Sequence, residues 1–255
     1  MPAFAELLAV QLRRDPGRPL LTWYDESTGE RVELSVTTYA NWVAKTASLL
    51  VEEHDLERGD VLVVDLPQHW LGPVFLGAAW TVGLAVAFPS VSPSASPSAS
   101  LSEDAGPSAV VCGPAGVSTW AERADEVPVL ACSLLPMGVR FAEPLPAGVH
   151  DVGVEVWGQT DAFTAYDAPT GSDPALVEGG VTHDELFGSA AAAGRSETST
   201  GGGRLLSTAN PASPPGVAAL ARPLVSGGSL VLVAGADPGR LDAIAEAERV
   251  TLRLG

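Results

Sequence analysis

"VELSVTTYANWVAKTASLLVEEHDLERGDVLVVDLPQHWLGPVFLGAAWTVGLAVAFP" (residues 32–89) decides the fold. Inside it, "VLVVDLP" (61–67) is an unbroken apolar run closed by Pro67, the pattern of a strand buried on both faces. A helical segment at 70–82 and a second apolar strand, "LAVAFP" (84–89), follow. A strand–helix–strand unit of this kind predicts parallel pairing and a right-handed crossover. Upstream, Thr37 or Thr38 is expected to cap a helix running to His54, with Tyr39, Trp42, Val43, Thr46, Leu49 and Leu50 on one face.

Working outward, residues 4–15 show the spacing of a short amphipathic helix that ends before Pro16-Gly17. Residues 18–35 read as a β-hairpin with Gly29 in the turn. Downstream, strands are expected at 108–113, 127–131 and 152–157. Then come a helix opened by Thr182-His183, a flexible connector at 196–203, and a strand at 204–209. A helix ending in Gly227-Gly228, a strand at 229–235, a helix with Asp237 as cap and Pro238 at its first position, and a last strand complete the chain. The alternation predicts an α/β protein, mostly parallel sheets flanked by helices. The stretch "SVSPSASPSASLSEDAG" (90–106) has no face to bury and reads as a mobile surface loop. The whole is expected to be one domain (1–255), with sub-parts 1–165, holding the hairpin and the first sheet, and 166–255, holding a second sheet.

Composition narrows the partners. The chain has 255 residues, 46% apolar, with 31 acidic and 14 basic residues and a net charge of −17; Lys45 is its one lysine. Nothing here offers the basic face that nucleic acid or an anionic membrane surface requires. The longest apolar run, 74–88, is too short for a membrane span of about 20 residues. The N-terminus lacks a signal-peptide pattern, and Cys112 and Cys132 have no metal-binding spacing. They read as buried hydrophobes in a reducing, cytoplasmic compartment.

"DAPTGSDPALVEGGVTHDEL" (167–186) has the outline of a phosphate-binding turn. Thr170, Gly171 and Ser172 precede Pro174, and Thr182-His183 opens a helix. It contains no lysine or arginine but five carboxylates: Asp167, Asp173, Glu178, Asp184 and Glu185. Gly171 leaves two readings open: a residual cradle of backbone amides for phosphate, or a surface turn that kept only the shape.

Thr38-Tyr39, Gly59-Asp60, Leu66-Pro67 and Phe88-Pro89, in that order, resemble the opening of the adenylate-forming superfamily. That superfamily includes acyl-CoA synthetases, peptide-synthetase adenylation domains and luciferases. The 167–186 stretch sits where the superfamily has its Thr/Ser/Gly-rich loop with Pro-Lys-Gly, and residues 219–255 resemble its following helix, turn and strands. The resemblance implies roughly the first half of a large N-terminal α/β domain. It also implies site residues that this chain departs from. Ala175 stands at the lysine position after Pro174, and "ANPASPPGV" (209–217) lacks the family's histidine. The Tyr-Gly-x-Thr-Glu motif, the ribose-binding aspartate and the late lysine would fall after residue 255.

These departures predict a ligase-like protein without catalytic residues, binding a partner protein or an acyl or nucleotide-like ligand. ATP or AMP with magnesium is expected only if Thr170, Gly171, Ser172, Pro174 and His183 still bind phosphate. The alternatives are residual AMP or acyl-adenylate binding, or a weak ligase acting with another subunit. Truncated sheet edges would favour a homo-oligomer or a protein partner. None of the four histidines pairs at metal spacing, so no metal is expected. His183 is expected to be partly exposed behind a Thr182 cap, and His69 lies where strand ends bind ligands. Trp23, Tyr24, Trp42, Trp70 and Trp80 read as core or interface. No nucleophile elbow, Walker loop or dinucleotide fingerprint is present.

Overall fold

The computed structural model describes residues 2–89, 106–195 and 202–254. The Ser/Pro-rich loop, apart from Gly106, and the connector at 196–201 lie outside the described residues. Helix α1 (Phe4–Arg14) leads into the hairpin β1 (Pro19–Asp25) and β2 (Glu30–Ser35). Helix α2 (Val36–Ser48) continues as a π-helical turn, Leu49–Glu53, before β3 (Val61–Asp65), α3 (Leu71–Val82) and β4 (Ala85–Ala87). Next come β5 (Ala109–Cys112), α4 (Val117–Ala121), β6 (Val129–Ala131), β7 (Val149–Asp151) and α5 (Val152–Glu155). The last part holds α6 (His183–Arg195), β8 (Arg204–Ser207), α7 (Val217–Ser226), β9 (Ser229–Ala234), α8 (Pro238–Ala247) and β10 (Leu252–Leu254).

The described strands form two five-stranded sheets. One, ordered β4-β3-β5-β6-β7, is parallel throughout. The other, β10-β8-β9-β1-β2, is parallel except for the hairpin. The hairpin therefore belongs with the strands of the chain's second half, although sequence order groups it with the first sheet. Its first strand explains why: Leu20, Leu21 and Trp23 are all buried, and pairing Trp23 opposite Leu232 supplies the second neighbour.

Helix α3 is apolar all round and is buried along nearly its whole length, as expected of a helix between layers. It is packed by α1 and α2 at Gly77. A Cβ there would stand 2.7 Å from the Tyr39 hydroxyl, 2.8 Å from Phe4 and 2.9 Å from Val43. Only a bare backbone fits that crossing. A single core cluster runs from Leu20 and Leu232 in one sheet to Leu62 and Leu130 in the other.

Two local expectations are corrected. Ser35, rather than Thr37 or Thr38, caps α2: its Oγ accepts the Thr38 amide at 3.1 Å. Thr37 turns its amide and its hydroxyl to the Pro16 carbonyl instead, both at 3.0 Å. Residues 152–157 are helical, not a strand. Asp151 caps them by accepting the Gly153 amide at 2.9 Å. Val152 and Val156, four apart, are buried, while Val154 between them is 55% exposed. The burial of these valines follows a helical turn and not the alternation of a strand. The strand lies just before, at Val149–Asp151. As expected, α7 ends at Gly227 with φ 74°, and Asp237 caps α8 by accepting the Arg240 amide at 2.9 Å.

Candidate functional site

The 167–186 turn lies against the edge of the first sheet. The Val86 amide donates to the Ala175 carbonyl at 3.1 Å, and the Val177 amide donates back to Val86 at 2.9 Å. Pro174 bridges to Thr182. These bonds pull the segment after Pro174 onto β4 as an added edge. Ala175, which the sequence resemblance pairs with a lysine, is wholly buried, and its carbonyl accepts the Trp80 indole N–H at 2.9 Å. A lysine side chain rooted there would start inside the core.

The turn closes on a carboxylate of its own. The Thr170 amide and hydroxyl both donate to Asp173 Oδ2, the hydroxyl at 2.8 Å. Arg58, from the turn before β3, grips the same carboxylate with Nε at 3.0 Å and Nη2 at 2.9 Å. Its Nη1 donates to Asp167 at 2.8 Å. Main-chain bonds complete the closure: the Asp184 amide reaches the Gly171 carbonyl at 2.8 Å and the His183 amide reaches the Asp173 carbonyl at 3.0 Å. Burial works against the Asp173 charge, but the Thr170 donors and Arg58 outweigh it and hold the carboxyl below its usual range. Ser172 Oγ sits 3.0 Å from the Thr170 hydroxyl. Thr170, Gly171, Ser172 and Pro174 are thus brought together, around Asp173. Arg58 was not among the residues singled out in the sequence, because its position 115 residues upstream leaves no local signal.

Thr182 does cap α6, in a reciprocal arrangement with Glu185: its amide donates at 2.9 Å and its hydroxyl accepts the Glu185 amide at 3.3 Å. The expectation of a partly exposed imidazole at His183 is overturned. The ring is wholly buried between Trp80 and Phe187, at centroid distances of 6.3 and 5.9 Å, and neither nitrogen has a hydrogen-bond partner. Burial pushes its pKa down to about 4. Its ring neighbours are Trp80 and Phe187.

Two cavities have no residue of the turn in their lining. One, about 770 Å³, opens at the carboxyl ends of β1, β3 and β9, lined by Asp25, Gln68, His69, Leu134 and Gly235. His69 is buried there, with Nδ1 accepting the Leu71 amide at 3.2 Å and Nε2 unpartnered; burial lowers its pKa to about 4. The second cavity, about 590 Å³, is walled by Trp42, Trp70, Trp157 and Met137. Trp42 stands edge-on to Trp70 at 5.0 Å and to Trp157 at 5.4 Å. Both cations at its rim are engaged: Lys45 with Asp161 at 2.9 Å, and Arg31 with Glu33 and Glu248. Trp23, Trp70 and Trp80 are buried in the core, as expected, with Trp70 also walling this cavity beside the half-buried Trp42; Tyr24 is half-buried. Trp157, in a weakly patterned segment, was missed.

Elsewhere, Asn210 in the stretch lacking the family's histidine donates to the Leu66 carbonyl at 2.8 Å and ties the two sheets together. Cys112 and Cys132 are free and buried, and burial raises both thiol pKa values. His54 and His150, unrelated by spacing, meet at Glu155. Among the described residues no helix is long and apolar enough to cross a membrane.

Solved structures share this architecture. An acyl-CoA synthetase from Brucella canis matches 98% of the chain with a TM-score of 0.79 at 20% identity. Acetoacetyl-CoA synthetase from Streptomyces lividans matches 98% with 0.76 at 16% identity, and O-succinylbenzoate coenzyme A synthetase from Bacillus subtilis 99% with 0.73 at 14%. This chain spans only 46%, 42% and 50% of those proteins. The fold is therefore that of the N-terminal domain of adenylate-forming enzymes, over about half their length. No family model matches the chain. Over 246 residues it is 36% identical to a TIGR03089 family protein of Mycobacterium tuberculosis, covering 96% of this chain and 95% of that one. The chain belongs to the TIGR03089 family.

Proposed function

We propose that this protein is a binding protein on an adenylate-forming scaffold, and that it does not adenylate. The carrying observation is Asp173: its carboxylate takes both Thr170 donors and the Arg58 guanidinium for itself. Phosphoryl transfer depends on positioned cations. The sequence places no lysine in the turn, and Arg58 is committed to Asp167 and Asp173. No nucleotide cofactor or magnesium is expected at this turn.

The ligand is an apolar acyl-type molecule in the Trp42–Trp70–Trp157 cavity. Its volume falls in the range of small-molecule sites, roughly 300–1,000 Å³, and its walls are chiefly aromatic. With Lys45 and Arg31 already paired, it offers little to a phosphate. The core cluster shared by both sheets supports treating the chain as one binding unit. Two assays on the same preparation test this. ATP–pyrophosphate exchange across a panel of carboxylic acids should stay at the blank, and medium-chain fatty acids should quench tryptophan emission saturably. Robust exchange would overturn the non-adenylating reading; emission unchanged by every acid would overturn the acyl ligand.

A further inference from the structure

We infer that His54, His150 and Glu155 form a binding site for one divalent transition-metal ion, with zinc the ion best matched to the donors. His54 follows the π-helical turn after α2, His150 is the middle residue of β7, and Glu155 ends α5. His54 Nε2 lies 3.2 Å from Glu155 Oε2, and His150 Nδ1 lies 2.9 Å from Oε1. The two imidazoles meet edge to face at 4.6 Å. One donor atom from each residue can be chosen so that all three lie within 4.8 Å of one another.

Two imidazole nitrogens and one carboxylate form a donor set that zinc takes in sites that keep a position open for water or substrate. In a tetrahedral shell with bonds of about 2.0–2.2 Å, neighbouring donors stand about 3.3 Å apart. Each imidazole nitrogen already stands close to that spacing from a Glu155 oxygen, His54 Nε2 from Oε2 and His150 Nδ1 from Oε1. The remaining donor pairs lie within 4.8 Å and close on loading. Two of the ligands are rooted beside buried residues: Leu49 and Leu50 in the π turn before His54, and Val152 and Val156 around Glu155. A π turn inside a helix is a recurrent mark of functional positions, and here it delivers His54 to the sheet edge. The His54 side chain is 3% exposed, while those of Glu155 and His150 are 27% and 40% exposed. The cluster is therefore anchored on one side and open on the other, where a fourth ligand enters. The competing arrangement is a metal-free one, in which Glu155 accepts a hydrogen bond from each ring.

The test uses the tag-free chain, stripped with chelator and titrated with zinc and with cobalt. The expected result is one ion per chain, a visible cobalt spectrum of four- or five-coordinate type, and a melting temperature raised by about 5–10 °C at a hundredfold excess over Kd. His150→Ala and Glu155→Gln, each checked for native circular dichroism, should weaken binding at least tenfold. No binding by the wild-type chain, or equal affinity in it and in both variants, overturns the site.

Discussion

At the scale of single residues, His183 and Asp173 show opposite ways of placing a titratable group. His183 sits in an aromatic box with both nitrogens unpartnered, so only the neutral ring is tolerated. Its folded pKa is about 4, against 6.5 for the ordinary imidazole, and His69 is the same. Above pH 6.5 both states hold neutral rings and nothing is lost. As pH falls from 6.5 toward 4 the unfolded chain takes up protons that the folded chain refuses, so stability falls by roughly 1.4 kcal/mol per pH unit for each ring. His183→Leu should remove one ring's share of that slope in denaturant titrations between pH 7 and 4.5. It should also gain about 1 kcal/mol at pH 7 by deleting two unsatisfied polar atoms. An unchanged acid slope would contradict the burial of His183. The sequence showed the Thr182 cap, which is local. It did not show the ring's surroundings, because Trp80 comes from α3 and that contact exists only in the folded chain. Asp173 was visible as an acid in a phosphate-like turn. Its partner, Arg58, was not.

At the scale of elements, the packing of α1, α2 and α3 at Gly77 sets the spacing of the layers. Gly77→Ala forces Tyr39, Phe4 or Val43 to move and should cost about 1–3 kcal/mol in urea unfolding, the usual penalty of overpacking. A neutral result would mean the crossing is looser than described. The elements of this region were readable because their signals are strong and local: a buried apolar strand, a helix apolar all round, a second strand. The segment at 152–157 was misread because short runs of valine and glutamate satisfy both periods, and the deciding Asp151 cap is a single side chain. The hairpin itself was legible, but its sheet was not. Pairing of β1 with β9 joins distant parts of the chain, and both strands are apolar enough to fit either sheet.

At the scale of the whole molecule, a net charge of −17 raises the cost of bringing in a polyanion. A phosphate site would need a local cluster of donors and cations to overcome that field. The one arginine at the turn is already engaged, and the turn's Thr170 donors face Asp173. The fold is that of the N-terminal domain of adenylate-forming enzymes, and in the reading proposed above Asp173 takes the place of an anion at the turn. Nucleotide titration calorimetry on the intact chain, with ATP and with AMP in physiological salt and magnesium, tests this most directly. The account predicts no saturable binding, with any Kd at roughly 1 mM or weaker. Micromolar, saturable binding of either nucleotide would contradict it.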